Sequence, residues 1–256
     1  ITLMKHIAKK KFGQNFLKDT SIIHAIIQSI NPLPDDLLIE IGPGLGALTK
    51  PLLEKTNHLL AIELDRDIVS WMENEYSKKN ITIFNEDVLN FNFNQFDQKI
   101  RIVGNLPYNI SSPLLFHLVA AAKLIDEQVF MLQAEVVERI VAKAGSSDFS
   151  RLSVMLQARY DMELVLEVPP EAFDPKPKVN SAVVRMIPRQ DFNLSDAEWR
   201  SLEKVVAAAF SQRRKMLRTN LQAFSERLKL TENELKARAQ DISVERYIEW
   251  AKVLAS

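Results

Sequence analysis

No cysteine occurs in the 256 residues, which removes disulfides, thiolate zinc sites and cysteine nucleophiles together. Methylation at carbon 5 of a pyrimidine by the usual cysteine attack is therefore excluded. Long apolar runs are missing as well: nothing approaches the roughly 20 residues of a membrane span, and no apolar segment near the start resembles a signal peptide. The expectation is a cytoplasmic chain with no membrane partner. Charge of one sign is also absent, since 33 basic and 33 acidic residues cancel, so the overall balance points to no polyanionic partner. The histidines, at 6, 24, 58 and 117, show no metal-ligand spacing, and no metal site is expected. Neither a P-loop Gly-Lys-Ser nor a kinase Lys and Asp set is present, which makes phosphoryl transfer a poor reading.

What is present is a hydrophobic fraction of 46%, enough for one large or two modest cores. Over the first 135 residues short apolar runs alternate with longer amphipathic segments, the pattern of βα units and a mostly parallel sheet. The spacing predicts strands at Leu37–Ile41, His58–Glu63, Ile81–Glu86, Lys99–Gly104 and Gln128–Leu132. Helices are expected between them at Ser21–Ile30, Leu45–Lys55, Arg66–Lys78 and Ser112–Ala122. Further helices at Ala134–Ala144 and Arg151–Arg159 lead into Met162–Val168 and Ala182–Ile187. Those two runs read as a wide antiparallel pair joined by a proline-rich loop, Pro169–Lys178. After Pro188 the pattern is helical throughout: Ser195 to Glu198 forms a capping box, followed by Trp199–Phe210, Lys215–Leu228, Thr231–Ala239 and Ser243–Ala255. Two domains are therefore expected, 1–188 with the α/β pattern and 189–256 all helical.

Charge that cancels overall is unevenly placed. Residues 1 to 18 hold Lys5, Lys9, Lys10, Lys11 and Lys18 without an acid, and residues 210 to 220 hold Arg213, Arg214, Lys215 and Arg218 without one. Such clusters are footprints for phosphate or solvated tails, and Arg213 has a third reading as a salt bridge between domains.

Three glycines, Gly42, Gly44 and Gly46, fall in the turn after the first strand of the alternating pattern, where a ligand needs close backbone approach. Such turns serve dinucleotides and S-adenosylmethionine alike. The second strand ends at Glu63, about 20 residues on, where a carboxylate can accept both hydroxyls of a ribose. The third ends near Asp87, which can accept from an adenine amine or stand as a solvated loop charge. Glu40, beside the glycine turn, disfavours a pyrophosphate and favours a ligand that carries an ammonium and a sulfonium. S-Adenosylmethionine fits better than a dinucleotide.

Gly104-Asn105-Leu106-Pro107-Tyr108 follows the fourth strand. In an open α/β sheet this position faces the ligand crevice. An Asn amide and a backbone carbonyl can accept from an exocyclic amine while Tyr108 stacks on the ring, which would hold an adenine taken out of its stack. The same residues also read as a strand end, a proline turn and a surface tyrosine.

These segments, with Phe12 to Leu17, Phe173 to Val183 and Phe210 to Lys215, resemble the ribosomal RNA adenine N6,N6-dimethyltransferases, and the bacterial small-subunit (16S) group more than others. The likeness spans nearly the whole chain. It implies a class I methyltransferase: a Rossmann-like, seven-stranded, mostly parallel α/β sheet with a small helical domain after it. It implies S-adenosylmethionine as methyl donor, S-adenosylhomocysteine as product and no metal. Asn15, Leu17, Gly42, Glu63, Asp87 and Asn105 match the family's donor-binding positions. Asn105, Leu106, Pro107 and Tyr108 match its catalytic motif, with Tyr108 and Phe173 as faces for the target base. Lys9, Lys10, Lys11, Arg213, Arg214 and Lys215 are the expected RNA contacts. The implied substrate is two adjacent adenosines of small-subunit ribosomal RNA, in a partly assembled 30S particle, acted on by a monomer with a role in subunit biogenesis. Ser150 stands where the family pattern leads one to expect Gly. Competing readings are a large-subunit dimethyltransferase of the macrolide-resistance type, a nucleic-acid-binding assembly or transcription factor that retains the fold, and a NAD-dependent dehydrogenase.

Overall fold

The computed structural model describes residues 15–191 and 193–256, so Lys9, Lys10 and Lys11 lie outside the described residues. The chain divides into two compact units, residues 1–137 with 162–188, and residues 138–161 with 189–256.

In the first unit β1 (Phe16–Leu17) precedes α1 (Thr20–Ile30), and then β2 (Leu38–Ile41), α2 (Thr49–Leu53), β3 (Leu59–Glu63), α3 (Arg66–Glu75) and β4 (Ile81–Asn85) follow. Next come β5 (Ile100–Asn105), α4 (Ser111–Ala120) and β6 (Ile125–Gln133), and later β7 (Tyr160–Val168), β8 (Phe173–Asp174) and β9 (Ser181–Pro188). Seven strands form one sheet in the order β4-β3-β2-β5-β6-β9-β7. β2 is parallel to β3 and β5, β3 to β4, and β5 to β6, while β9 runs antiparallel to β6. The chain moves outward from β2 to β4 and then returns to the other side of β2 as β5. That reversal opens a crevice beyond the carboxyl ends of β2 and β5, where doubly wound sheets bind ligands.

Local chemistry sets the helices. Asp19 caps α1 by accepting from the amides of Ser21 at 2.9 Å and Ile22 at 3.1 Å, and the helix stops at Asn31 in the left-handed region, its amide bonded to the Ile27 carbonyl at 3.0 Å. Ile26, Ile27 and Ile30 of α1 pack with Leu38, Leu59, Val103, Val129 and Met131 of the sheet. Each such side chain contributes about 1.5–3 kcal/mol by leaving water. The helix expected over Leu45–Lys55 is shorter, Thr49–Leu53, because Gly44 and Gly46 hold φ values of +55° and +79° and keep the preceding residues in turns.

The second unit holds α6 (Arg151–Gln157) and, after Ser195, α7 (Asp196–Ala209), α8 (Leu217–Asn220), α9 (Ser225–Leu228), α10 (Glu232–Lys236) and α11 (Val244–Ala255); the chain enters it within α5 (Ala134–Val141). Residues 138–161 thus pack with the helical tail, whereas a single cut after 188 is expected from the sequence. The reason is visible in the contacts: Gly145 N donates to the Gln240 carbonyl at 2.7 Å, and Phe149 meets Phe210 at 6.4 Å between ring centroids. The continuous helix expected over Lys215–Leu228 is two short helices with a 3₁₀ turn, Gln222–Phe224, between them. Ser150 is extended, at φ −145°, and caps α6 in a reciprocal box with Ser153, so this position has no need of glycine. Among the described residues no helix is long and apolar enough to cross a membrane.

Candidate active site

The crevice at the reversal is a cavity of ≈ 660 Å³, within the size range of small-molecule sites, and its whole lining belongs to the first unit. Asn15, Leu17, Gly42, Glu63, Asp87, Asn105, Leu106, Pro107, Tyr108 and Phe173 all line it. Ten expected positions scattered over some 160 residues of sequence are therefore gathered at one place.

The floor is the turn after β2. Gly42 sits at φ +64° and donates to the Ile62 carbonyl at 2.9 Å, which ties the turn to the end of β3. A Cβ on Gly44 would stand 3.3 Å from the Phe16 ring, and one on Gly46 would collide with the Tyr76 hydroxyl. The left-handed backbone angles favour glycine at these positions, and the Tyr76 hydroxyl leaves no space for a side chain at Gly46 unless it shifts. Gly104 answers a different need, since a Cβ there would strike the Ile41 carbonyl and push β5 off β2 just before Asn105.

Two buried acids, Glu40 and Glu63, line the cavity beside this floor, and a third, Asp65, is buried just beyond Glu63. Glu40 is buried on β2, accepts from Thr49 Oγ1 at 2.7 Å, and has its carboxyl pushed up to about 7 by burial, with Glu63 nearby adding to the rise against the Thr49 hydrogen bond. Glu63 is also raised by burial, although the amides of Asp65, at 2.9 Å, Gly44 and Leu64 hold it and work the other way. Asp65 caps α3 through the Asp67 amide at 2.9 Å, and its Oδ2 is buried without a hydrogen-bond partner. Among the described residues none of these three is in a salt bridge. Glu40 and Glu63 line the cavity, and buried acids with no ion-pair partner among the described residues suit a ligand that brings positive charge. The glycine floor leaves room for it, and Leu64, 51% exposed directly after Glu63, with Val88 offers apolar surface for a flat ring. The lining therefore fits S-adenosylmethionine. Asp87 accepts from the Leu89 amide at 3.0 Å through Oδ1 on the same side.

At the other wall the Asn105 amide nitrogen donates to the Asn15 carbonyl at 3.3 Å, which directs the side chain across the cavity. Leu106 is buried, and its amide donates to the Met131 carbonyl at 3.1 Å. Pro107 turns the chain, its carbonyl accepting from the Ile110 amide at 3.1 Å and Ser111 Oγ at 3.2 Å at the start of α4. The Tyr108 ring is partly exposed, its hydroxyl 2.9 Å from Ser181 Oγ, and burial holds the phenol above its ordinary range against that hydrogen bond. Tyr108 is the aromatic face this wall presents. Phe173 is only 2% exposed and packs in the core with Leu17, its partner across the β1–β8 pair, so it closes the wall more than it offers a free ring.

Sequence reasoning missed Phe16, Leu64, Val88, Ile110 and Ser181. Leu64 carries a visible signal, an apolar residue exposed between two acids at a strand end, while Ser181 becomes meaningful only once β9 lies beside β6. In the second unit Arg213, Arg214 and Lys215 are exposed, and one Arg213 nitrogen donates to the Ser147 carbonyl of the same unit. No group of His, Cys, Asp or Glu among the described residues is arranged to hold a metal ion.

Comparison with known proteins places this geometry in a family. A bacterial relative from Bordetella pertussis, named ribosomal RNA small subunit methyltransferase A, is 51% identical over 251 residues, 97% of this chain and 95% of the relative. One of the same name from Dechloromonas aromatica is 47% identical over 252 residues, 98% of this chain and 99% of the relative. A crystal structure of a dimethyladenosine transferase from Plasmodium falciparum superposes with a TM-score of 0.79 at 25% identity, over 92% of this chain and 95% of the other. The fold is shared with the 23S rRNA methyltransferase ErmE, at a TM-score of 0.71 and 24% identity, over 94% and 100% of the two chains. The family described as ribosomal RNA adenine dimethylase matches residues 5–256. With that match over nearly its full length, and the seven-stranded sheet and cavity above, the chain belongs to the ribosomal RNA adenine dimethylase family.

Proposed function

We propose that this protein transfers methyl groups from S-adenosylmethionine to the N6 amine of two adjacent adenosines in small-subunit (16S) ribosomal RNA, giving N6,N6-dimethyladenosine. The observation that carries this reading is the meeting of Asn105 to Tyr108 with the glycine turn and the acids Glu40 and Glu63 in one cavity. Relatives of matching length are named for the small subunit, which favours that target over the large-subunit one.

When bound, S-adenosylmethionine supplies an electrophilic methyl on a sulfonium. The chain's own residues do the rest by placement. Glu63, oriented by backbone amides, accepts from the ribose, and Asp87 accepts from the donor's adenine amine. Asn15 and Leu17 border the donor beside Asn105. The target nitrogen is a poor nucleophile, because its lone pair is delocalised into the purine. The Asn105 side-chain oxygen and the Leu106 carbonyl accept from its hydrogens and favour a pyramidal nitrogen whose lone pair faces the methyl. Tyr108 stacks on the flipped base, which is worth roughly 1–3 kcal/mol. Positioning supplies most of the rate. Arg213, Arg214 and Lys215, with Lys9, Lys10 and Lys11, contact RNA phosphates, and the protein acts as a monomer in the cytoplasm on a partly assembled 30S particle.

The test is incubation with methyl-labelled S-adenosylmethionine and, separately, small-subunit particles lacking the modification, naked small-subunit RNA and large-subunit RNA. Label is expected in the particles. Label in large-subunit RNA alone would refute the target, and a fold-retaining factor without activity would give none.

A further inference from the structure

The hydroxyl of Tyr108 lies 2.9 Å from Oγ of Ser181, a contact outside the roles given so far to the residues around it. Ser181 is buried, is the first residue of β9 and stands opposite Gln133 on β6. The Leu106 amide meets the Met131 carbonyl two residues back on β6, opposite Val183. Leu106 to Tyr108 is therefore fastened at two points to one antiparallel strand pair. The first tie fixes the backbone that presents the Leu106 carbonyl. The second fixes where the ring stands, because a tyrosine anchored at its hydroxyl as well as its Cα cannot swing to another rotamer about its Cα–Cβ bond.

These ties bear unequally on two successive transfers to one nitrogen. In each, the nitrogen lone pair forms the N–C bond as the C–S bond breaks, the bonding pair stays on sulfur as a thioether, and one nitrogen proton passes to solvent water. The first transfer starts with two N–H groups, one for each acceptor. The second starts with one, so one acceptor loses its partner and the base depends more on its stacking face for alignment. We infer that Ser181 is a positioning residue that governs completion of the second methylation by holding the Tyr108 ring in place. The inference rests on the dimethylation reading proposed above.

Single-turnover reactions on unmodified small-subunit particles, followed by nucleoside mass spectrometry, separate the two steps. Ser181→Ala is expected to accumulate N6-methyladenosine, its second step slowed about tenfold more than its first, the scale of one lost hydrogen bond. Tyr108→Phe, which keeps the ring and removes the hydroxyl, is expected to reproduce the shift even if the serine variant folds poorly. The double variant should be no worse than the more affected single. Equal slowing of both steps by Ser181→Ala, or a shift in the double variant that multiplies the two singles, would overturn the inference. Unchanged protein that forms no N6-methylated adenosine would overturn the underlying reading instead.

Discussion

At the carboxyl ends of the strands Glu40, Glu63 and Asp65 are buried with hydroxyls and amides for partners, whereas near the amino ends of β5 and β6 a comparably buried acid is fully matched by cations. There Glu127 binds Arg101 and Arg185, and Arg101 also binds Asp36 and the Ile30 carbonyl. Burial works to lower the Arg101 guanidinium, yet its bonds to Glu127 and Asp36 outweigh that and raise it. The two ends teach the difference between structural and functional burial of charge. A carboxylate closed by its own chain's arginines has no need of a ligand, and one left without a cation at a glycine turn is arranged for something that arrives.

The comparison can be broken at either end. The largest effect is expected from Asn105→Ala, about a thousandfold loss of methyl transfer in single-turnover assays with RNA binding largely kept, the scale of removing one precisely aimed polar group. Near-normal turnover would remove Asn105 from the reaction. Next, Glu63→Ala should weaken S-adenosylmethionine binding by about ten- to a hundredfold by calorimetry, the scale of losing the charge-assisted hydrogen bonds to the ribose proposed above. Glu127→Gln should act the other way round, leaving donor affinity alone and lowering stability by about 3 kcal/mol, roughly 5–10 °C in melting temperature. A donor-binding defect in that variant would erase the contrast.

The smallest effect is a pH dependence. Glu40 is raised from 4.5 to about 7, so between those values the folded chain holds a proton that the unfolded chain has released. Its contribution is complete below about pH 4.5 and is lost as pH rises through 7. Without ligand, stability should fall by about 2 kcal/mol from pH 5 to 7, Glu63 acting in the same direction, and Glu40→Gln should flatten the slope. Denaturant melts across that range provide the check, and an equal slope in the variant would move the proton elsewhere.

The strands around the cavity were legible because they are buried on both faces and read as apolar runs; Leu38–Ile41 and Leu59–Glu63 each lie within one residue of the expected start and share the expected end. β6 begins at Ile125 and not at Gln128, since Asp126 and Glu127 look like a loop until Arg101 and Arg185 neutralise Glu127 from other strands. The pairing of Phe16–Leu17 with Phe173–Asp174 was illegible for the same reason, as two residues have no period and their partners are remote. Gly42, Glu63, Asp87 and Asn105 could be found as cavity residues because each ends a strand or closely follows one. Ser181 could not, because its meaning is a distance to Tyr108 across 73 residues of sequence.

Delivery of methyl by this cavity to the exocyclic nitrogen of adenine in small-subunit RNA leaves a product that can be weighed. High-resolution mass spectrometry of the nucleosides released from small-subunit particles treated with the protein and S-adenosylmethionine tests it most directly. The account predicts N6,N6-dimethyladenosine that disappears with Asn105→Ala; methyl on another atom or base, or a product that survives the substitution, would contradict it.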